Sequence, residues 1–167
     1  MKLQKILISL LLLLPTLGLF HAAPAQADSS TSQQVKSIQK RGVLNVGVKQ
    51  DVPNFGYLNP DSNTYSGLEI DIAKKIAKEL GVKITYVPVI AQTRGPLLDN
   101  GQVDMVIATF TITDERKEIY NFTTPYYTDA SGFLVNKSSK ITDVKDLNNK
   151  TIGVVQGSIT QTLLEEI

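Results

Sequence analysis

Three threonines and an arginine follow one short apolar segment of the chain. This segment, residues 103–108, is rich in β-branched residues and is typical of a buried strand. Thr109, Thr111 and Thr113 come directly after it, and Arg116 follows them. A guanidinium fork and hydroxyl groups at the carboxyl end of a strand in an open α/β sheet could bind a carboxylate. The alternative is that Arg116 is a solvated helix residue and that the threonines merely fill a turn.

Two further cations and an aromatic residue follow other predicted strands. Arg94 begins a predicted short helix over residues 93–101, where a helix N-terminus and a guanidinium would both attract an anion. Lys49 and Phe55 lie in the loop that leaves a predicted strand at residues 43–48. Each has an ordinary alternative, because Phe55 could plug the core and Lys49 could be a solvated surface charge. The residues alone leave these alternatives open.

A glycine-containing turn near the end of the sequence carries two more hydroxyl groups. Residues 151–155 predict a further buried strand, and Ser158 and Thr160 follow it at the predicted start of a helix. Exposed N–H groups at such a helix start can hold an anion. Ser158 could equally be a plain N-cap, which is the commoner role for a serine there.

These residues need parallel strands to bring them to one edge of a sheet. Residues 67–81 predict the clearest helix, because apolar residues repeat every four positions and Gly81 is a natural stop. A strand at residues 82–89 follows, so the chain contains a βαβ unit, which is right-handed as a rule. The fold class is therefore α/β. Before the first strand we expect a polar, irregular start over residues 28–34 and a short helix ending at Gly42. After it we expect a hairpin turn at residues 59–63, a helix capped by Thr113 and a strand at residues 133–135. A helical turn anchored by Ile141, Val144 and Leu147 should follow.

Composition excludes several classes of protein. The formal net charge of the 167 residues is +1, and removing residues 1–27 takes away Lys2 and Lys5 and leaves 15 basic and 16 acidic residues. That balance does not indicate nucleic-acid binding, which favours a basic patch or stripe. The sequence has no Cys, which excludes disulfides, zinc–thiolate sites, thiol catalysis and a lipid-anchoring cysteine. We expect neither a metal nor a cofactor.

The first 27 residues predict a cleaved signal peptide. A positive start with Lys2 and Lys5 precedes an apolar stretch from residue 6, and residues 25–27 form a small-residue cleavage site. The apolar stretch contains Pro15 and Gly18 and falls short of the roughly 20 residues that a spanning helix needs. We therefore expect a periplasmic or secreted protein. His21, the single histidine, would be removed with the signal, which argues against histidine-based catalysis.

Two segments that lie close together in the sequence resemble a known family. The sequences RGPLLDNGQVD at residues 94–104 and ATFTITDERKEIYNFTTPYY at residues 108–127 resemble the core signature of family 3 extracellular solute-binding proteins. These are the amino-acid-binding components of ABC importers. The resemblance extends from about Gly42 to the last residue.

The resemblance implies a fold of two α/β lobes that close on a ligand around two crossing segments. Residues 28–127 would form lobe one, which is essentially complete, and residues 128–136 the first crossing segment. Residues 137–167 would form only the start of lobe two, so we expect a truncated lobe two. The family's lobe-two carboxylate that holds the α-ammonium group falls outside this sequence, which would weaken binding by these residues alone.

The resemblance also implies a role for each candidate site residue. Arg116 matches the arginine that grips the α-carboxylate of the ligand, Thr111 a hydroxyl contact and the Thr109 backbone a carbonyl that accepts the α-ammonium group. Ser158 and Thr160 lie in the lobe-two loop that meets the carboxylate. The remaining matches are Phe55, near the aromatic residue of the first loop, and Arg94 and Lys49, at positions where members selective for acidic amino acids present cations.

The leading hypothesis is therefore a monomeric binding protein that captures glutamate, aspartate or glutamine and delivers it to an ABC transporter permease. Two desolvated cations favour an acidic ligand over an amide. Three rivals remain: a dehydratase acting on prephenate-like acids on the same fold, a sensory ectodomain of a receptor, and a non-functional or incomplete fragment.

Overall fold

The computed structural model describes residues 28–165, and the predicted signal peptide lies outside them. Its elements, in chain order, are α1 (Asp28–Arg41), β1 (Val43–Val48), β2 (Asp51–Val52), β3 (Gly56–Asn59), β4 (Thr64–Ser66), α2 (Leu68–Leu80), β5 (Lys83–Pro88), α3 (Arg94–Asp99), β6 (Met105–Ile107), α4 (Asp114–Ile119), a 3-10 helix (Val144–Leu147) and α5 (Thr160–Glu165).

A three-stranded parallel sheet positions the candidate residues. Its strand order is β5-β1-β6, with Val46 opposite Tyr86 on one side and Met105 on the other. The three predicted parallel strands are confirmed, although β6 is shorter than the apolar segment that predicted it. Because all three strands point the same way, their carboxyl ends meet at one edge.

Helix α2 crosses over between β1 and β5 and confirms the predicted βαβ unit. Its acidic first turn contains Glu69 and Asp71, which suits the helix dipole. Gly81 ends the helix in the left-handed conformation, with φ of 68°. One face of α2 buries Ile70, Ala73 and Ala77 against the sheet.

The main apolar core lies between the parallel sheet and its helices. Alternate residues of β1 form its centre, since Leu44, Val46 and Val48 are all buried. They pack with Ile38 of α1, with α2 and with Ile107 of β6; the remaining buried members are Ile70, Ala73 and Ala77.

A small antiparallel sheet forms the loop region after β1. Strands β2, β3 and β4 pair in that order, and the predicted turn at residues 59–63 joins the β3–β4 hairpin. Gly67, with φ of 120°, lets the chain pass against the Phe55 carbonyl group, where a Cβ atom would collide. Phe55 is thereby held next to the start of α2.

Helix α1 begins at Asp28, so the predicted irregular start over residues 28–34 is wrong. Gln33, Gln34 and Lys36 are good helix formers, and the polar composition therefore does not oppose a helix. The helix ends before Gly42, as predicted. Arg41 then pairs with the Asp104 carboxylate, which also accepts a hydrogen bond from the Asn45 N–H at 2.8 Å and so ties α1 to the sheet.

The strands predicted at residues 133–135 and 151–155 do not form. Neither segment pairs with another strand within residues 28–165, and Val154 and Val155 are exposed rather than buried. The β-branched composition favours a strand only where a partner is present. The predicted helical turn is confirmed as the 3-10 helix, which Asp143 and Asp146 close with a capping box.

Candidate functional site

The edge where the parallel strands end brings two of the predicted cations together. Arg94 begins α3, which follows β5, and Arg116 lies in α4, which follows β6. The Thr113 hydroxyl caps α4 by accepting a hydrogen bond from the Arg116 N–H at 3.2 Å. This confirms the predicted N-cap, and it fixes the backbone that carries Arg116.

Arg94 is almost completely buried, with 4% of its surface exposed. Its Nη1 atom donates to the carbonyl oxygens of Ala108 at 3.0 Å and Thr109 at 2.8 Å, and its Nε atom donates to Ala91 at 3.3 Å. Burial, and after it the nearby Arg116 charge, lower the pKa of Arg94 to about 10, although Glu69 and Tyr126 act in the opposite direction. Arg94 is thus held by backbone dipoles and is not a solvated helix residue.

Arg116 is partly buried at the same edge. Its Nη1 atom donates to the Thr111 carbonyl oxygen at 2.8 Å. Burial lowers the pKa of Arg116, and the neighbouring Glu115 charge opposes this. The alternative of a freely solvated arginine is therefore not what the structure shows.

Phe110 lies between the two arginine segments in the sequence and contacts both side chains. The guanidinium carbon of Arg94 is 4.5 Å from the ring centroid, and that of Arg116 is 4.6 Å away. Cation–π contacts at these distances stabilise the two charges close together. Sequence reasoning did not single out Phe110, although its position between Thr109 and Thr111 could have indicated it.

The turn before α5 reaches the same two arginines. The Gly157 carbonyl oxygen accepts from Arg116 Nη2 at 3.3 Å and from Arg94 Nη2 at 3.5 Å. Gly157 has φ of 77° and lies against the Gln92 backbone. Ser158 and Thr160 follow it, and the Ser158 hydroxyl accepts from the Thr160 N–H at 3.3 Å. This bond places the Ser158 hydroxyl at the start of α5, with Ile159 between Ser158 and the first helical residue.

Thr109 is the second residue after β6 and has a left-handed backbone with φ of 48°. This conformation is uncommon for a threonine and tends to occur at functional sites. Its N–H donates to Glu69 Oε1 at 2.6 Å, and the Tyr126 hydroxyl donates to the same oxygen at 2.6 Å. Glu69 is completely buried, and sequence reasoning did not single it out.

The other predicted residues have partners of their own. Lys49 Nζ pairs with Asp51 Oδ1 at 3.0 Å, and the Phe55 ring packs edge-on against Tyr127 at 4.9 Å between centroids. Thr111 is exposed, and its carbonyl group serves Arg116. None of the predicted site residues lines the cavity of about 460 Å³ formed around Ile112, Tyr120 and Phe122.

Residues 28–165 contain neither a candidate membrane-spanning helix nor a candidate metal-binding cluster. No helix within residues 28–165 has the length and apolar character needed to cross a bilayer. In the same part of the chain, no group of three or more histidine, cysteine or acidic side chains is placed to hold a metal ion.

Comparison with known proteins gives consistent matches. The model for bacterial extracellular solute-binding proteins, family 3, matches residues 44–165. The chain is 41% identical over 140 residues to a glutamine-binding protein of Geobacillus stearothermophilus, covering 81% of this chain and 53% of that protein. It spans about half the length of the curated relatives it matches.

Two solved structures extend the comparison to the fold. A cysteine-binding protein from Campylobacter jejuni has a TM-score of 0.75 and 37% identity, covering 79% of this chain and 54% of that one. The arginine-bound form of domain 1 from TmArgBP has a TM-score of 0.52 and 35% identity, covering 55% of this chain and 71% of that one. The α/β architecture is thus that of periplasmic binding protein domains.

Proposed function

This chain belongs to the bacterial extracellular solute-binding proteins of family 3, and we propose that it captures a polar amino acid for an ABC importer. The observation that carries the proposal is the convergence of Arg94 and Arg116 on a single acceptor, the Gly157 carbonyl oxygen. Two guanidinium groups aimed at one point form a carboxylate site.

The bound carbonyl oxygen marks where a ligand oxygen would lie. A carbonyl oxygen carries no net charge, whereas a carboxylate adds a negative charge and can accept two parallel hydrogen bonds from one guanidinium. A ligand α-carboxylate would therefore replace Gly157 as the preferred partner of Arg116. Binding would favour whichever lobe arrangement lets the carboxylate contact both parts of the chain.

The other site residues have the following proposed roles. The Thr109 carbonyl group accepts the ligand α-ammonium group, the Thr111 hydroxyl contacts the carboxylate, and Ser158 and Thr160 approach it from the second lobe. Phe55 forms the apolar wall, and its packing against Tyr127 supports that orientation. In this proposal residues 28–127 form lobe one, residues 128–136 the crossing segment and residues 137–167 the start of lobe two.

Specificity depends on how much positive charge remains available beside Arg116. Arg94 donates to four backbone carbonyl groups, and Lys49 is paired with Asp51. Because both cations already have partners, the preference for a ligand with an acidic side chain is weaker than the sequence alone predicts. We therefore propose glutamine beside glutamate and aspartate as ligands, and the glutamine-binding relative supports this range.

The length of the chain does not by itself rule out binding. The arginine-bound domain 1 from TmArgBP carries its ligand as a separate domain. Because Arg94, Thr109 and Arg116 all lie in the part that corresponds to lobe one, we propose that this part holds the primary carboxylate contacts. Delivery to a membrane permease, a location outside the cytoplasm and a monomeric state complete the proposal.

The testing experiment is isothermal titration calorimetry of the purified protein with glutamate, aspartate, glutamine and arginine. We expect reversible, saturable binding of at least one of the first three without chemical conversion. Heat from glutamate or aspartate alone would favour an acidic ligand, and heat from glutamine would favour the amide. Absence of binding by a cooperatively folding protein would refute the proposal.

The same samples test the enzymatic alternative. Proton NMR spectra of prephenate and arogenate incubated with the protein would reveal dehydration products. We expect unchanged spectra, since the family model and the curated relative that the chain matches are those of solute-binding proteins. Turnover of either compound would replace the binding-protein proposal with a dehydratase.

A further inference from the structure

Glu69 connects three segments of the chain through one carboxylate oxygen. The residue lies in the first turn of α2 and has no exposed surface. Its Oε1 atom accepts from the Thr109 N–H and from the Tyr126 hydroxyl, both at 2.6 Å. Its Oε2 atom is buried and has no hydrogen-bond partner among residues 28–165.

The Thr109 N–H belongs to a peptide group that is held at both ends. Its other end is the Ala108 carbonyl oxygen, which accepts from Arg94 Nη1 at 3.0 Å. A buried anion thus holds the N–H of the Ala108–Thr109 peptide, and a buried cation holds its C=O. The peptide dipole is aligned between the two charges, which favours both contacts in a low-dielectric interior.

The contacts from this peptide continue to the proposed ligand site. Arg94 Nη1 also donates to the Thr109 carbonyl oxygen at 2.8 Å, and Thr109 is in the left-handed conformation. Such a conformation persists in a threonine only where surrounding contacts enforce it. The Glu69 carboxylate and the Arg94 guanidinium are the groups that enforce it here.

We propose that Glu69 is a positioning residue of the amino-acid site. It fixes the Ala108–Thr109 peptide, and through this peptide it sets the position of the Thr109 carbonyl and the Arg94 guanidinium. This inference rests on the proposed function for its effect on binding, but its effect on Arg94 can be measured without a ligand.

The charge of Glu69 distinguishes this role from simple core packing. A buried carboxylate with one unpaired oxygen is costly, and a neutral amide could accept the same two hydrogen bonds. The charge is useful because two guanidinium groups lie near the peptide and need a negative partner. The effect of Glu69 in raising the pKa of Arg94 agrees with that role.

The test compares Glu69→Gln, which keeps the shape and removes the charge, with Glu69→Asp, which keeps the charge and shortens the side chain. Amide and arginine Nε resonances are recorded by ¹⁵N NMR without ligand, and dissociation constants are measured by calorimetry. We expect the Thr109 amide proton to be far downfield in the wild type. In Glu69→Gln it should move upfield together with the Arg94 Nε–Hε resonance, and affinity should fall about tenfold, as expected for loss of a charge-assisted hydrogen bond.

Tyr126→Phe is the matched control, because it removes the other hydrogen bond to the same oxygen and leaves the Thr109 contact in place. It should leave the Arg94 resonance unchanged and the affinity within twofold. Unchanged Thr109 and Arg94 resonances in Glu69→Gln would overturn the inference, as would an affinity within twofold of the wild type.

The two proposals can fail separately. If the wild type binds none of the amino acids, the proposed function fails, while the ligand-free resonances still decide whether Glu69 positions Arg94. If Glu69→Gln does not fold, the wild-type Thr109 amide and the Glu69→Asp variant decide instead. An ordinary chemical shift with rapid hydrogen exchange at Thr109, or an unchanged Arg94 resonance in Glu69→Asp, would overturn the positioning role.

Discussion

Arg94 and Arg116 both direct an Nη2 atom at the carbonyl oxygen of Gly157, at 3.5 and 3.3 Å. Two cations brought together in a partly buried site would repel each other without compensation. Compensation here comes from the Phe110 ring, from backbone carbonyl groups and from the Glu69 charge near Arg94. Burial lowers the pKa of both arginines, and the charges of Glu69 at Arg94 and of Glu115 at Arg116 oppose this.

If a ligand carboxylate binds at this point, replacing the Arg116 guanidinium should weaken ligand binding. Arg116→Lys keeps the positive charge but cannot form two parallel hydrogen bonds. We expect affinity for the amino-acid ligand to fall by about tenfold to a hundredfold, in line with hydrogen bonds to charged groups. Calorimetry measures the change, with the Lys117→Ala variant as control because Lys117 is exposed and pairs with the exposed Asp114 carboxylate. Equal affinity of Arg116→Lys and wild type would remove Arg116 from the site.

The parallel sheet and its crossover helix were predictable from local patterns. The apolar repeat of α2, the glycine at its end and the β-branched runs of β1, β5 and β6 are all encoded within short windows. These elements bury their apolar residues in one core, so tertiary packing agrees with the local preference. The position of Arg94 and Arg116 at one sheet edge then follows from the direction of the strands.

The residues that sequence reasoning missed depend on contacts between distant segments. Glu69 resembles any other acid in a helix first turn until α2 is packed on the sheet, which brings its carboxylate to Thr109. Phe110 gains its role only when α3 and α4 place two guanidinium groups beside it. Conversely, residues 151–155 have the composition of a strand, but no other strand among residues 28–165 pairs with them. The composition of a segment does not show whether a partner strand is present.

The Thr113 hydroxyl, which caps α4, should contribute measurably to the stability of the fold. Thr113→Ala removes the acceptor for the Arg116 N–H and should lower the free energy of unfolding by about 1 kcal/mol, whereas Thr113→Ser should retain it. Urea unfolding followed by circular dichroism measures both variants. Equal losses in the two variants would show that the threonine methyl group, and not the cap, provides the stabilisation.

The Tyr126 hydroxyl predicts how stability changes at alkaline pH. Burial, the hydrogen bond to Glu69 and the Glu69 charge raise the pKa of Tyr126 above its ordinary value of 10.0. The hydroxyl is protonated in both folded and unfolded chains below pH 10, but at higher pH the unfolded chain loses its proton first. This linkage therefore lowers stability as pH rises above 10.

Tyr126→Phe should remove that part of the alkaline loss. Urea midpoints measured from about pH 8.5 to pH 11.5 should fall less steeply for the variant than for the wild type, because only the wild type has the ionisable hydroxyl. Tyr127→Phe, at the exposed neighbouring position, controls for loss of a tyrosine from this segment. Parallel curves for wild type and Tyr126→Phe would contradict the linkage.

Replacing Gly157 should disturb the carbonyl oxygen that Arg94 and Arg116 share. Ala at this position keeps φ near 77° only with strain, and its Cβ atom would lie 3.0 Å from Gln92 atoms. Gly101→Ala is the matched control, since Gly101 has φ of 66° and open space around its Cβ direction. Both variants should lose about 1 kcal/mol from backbone strain, but only Gly157→Ala should also displace the turn and shift the Arg94 and Arg116 Nε–Hε resonances. Identical arginine resonances in the two variants would mean that the Gly157 carbonyl does not hold the guanidinium groups in solution.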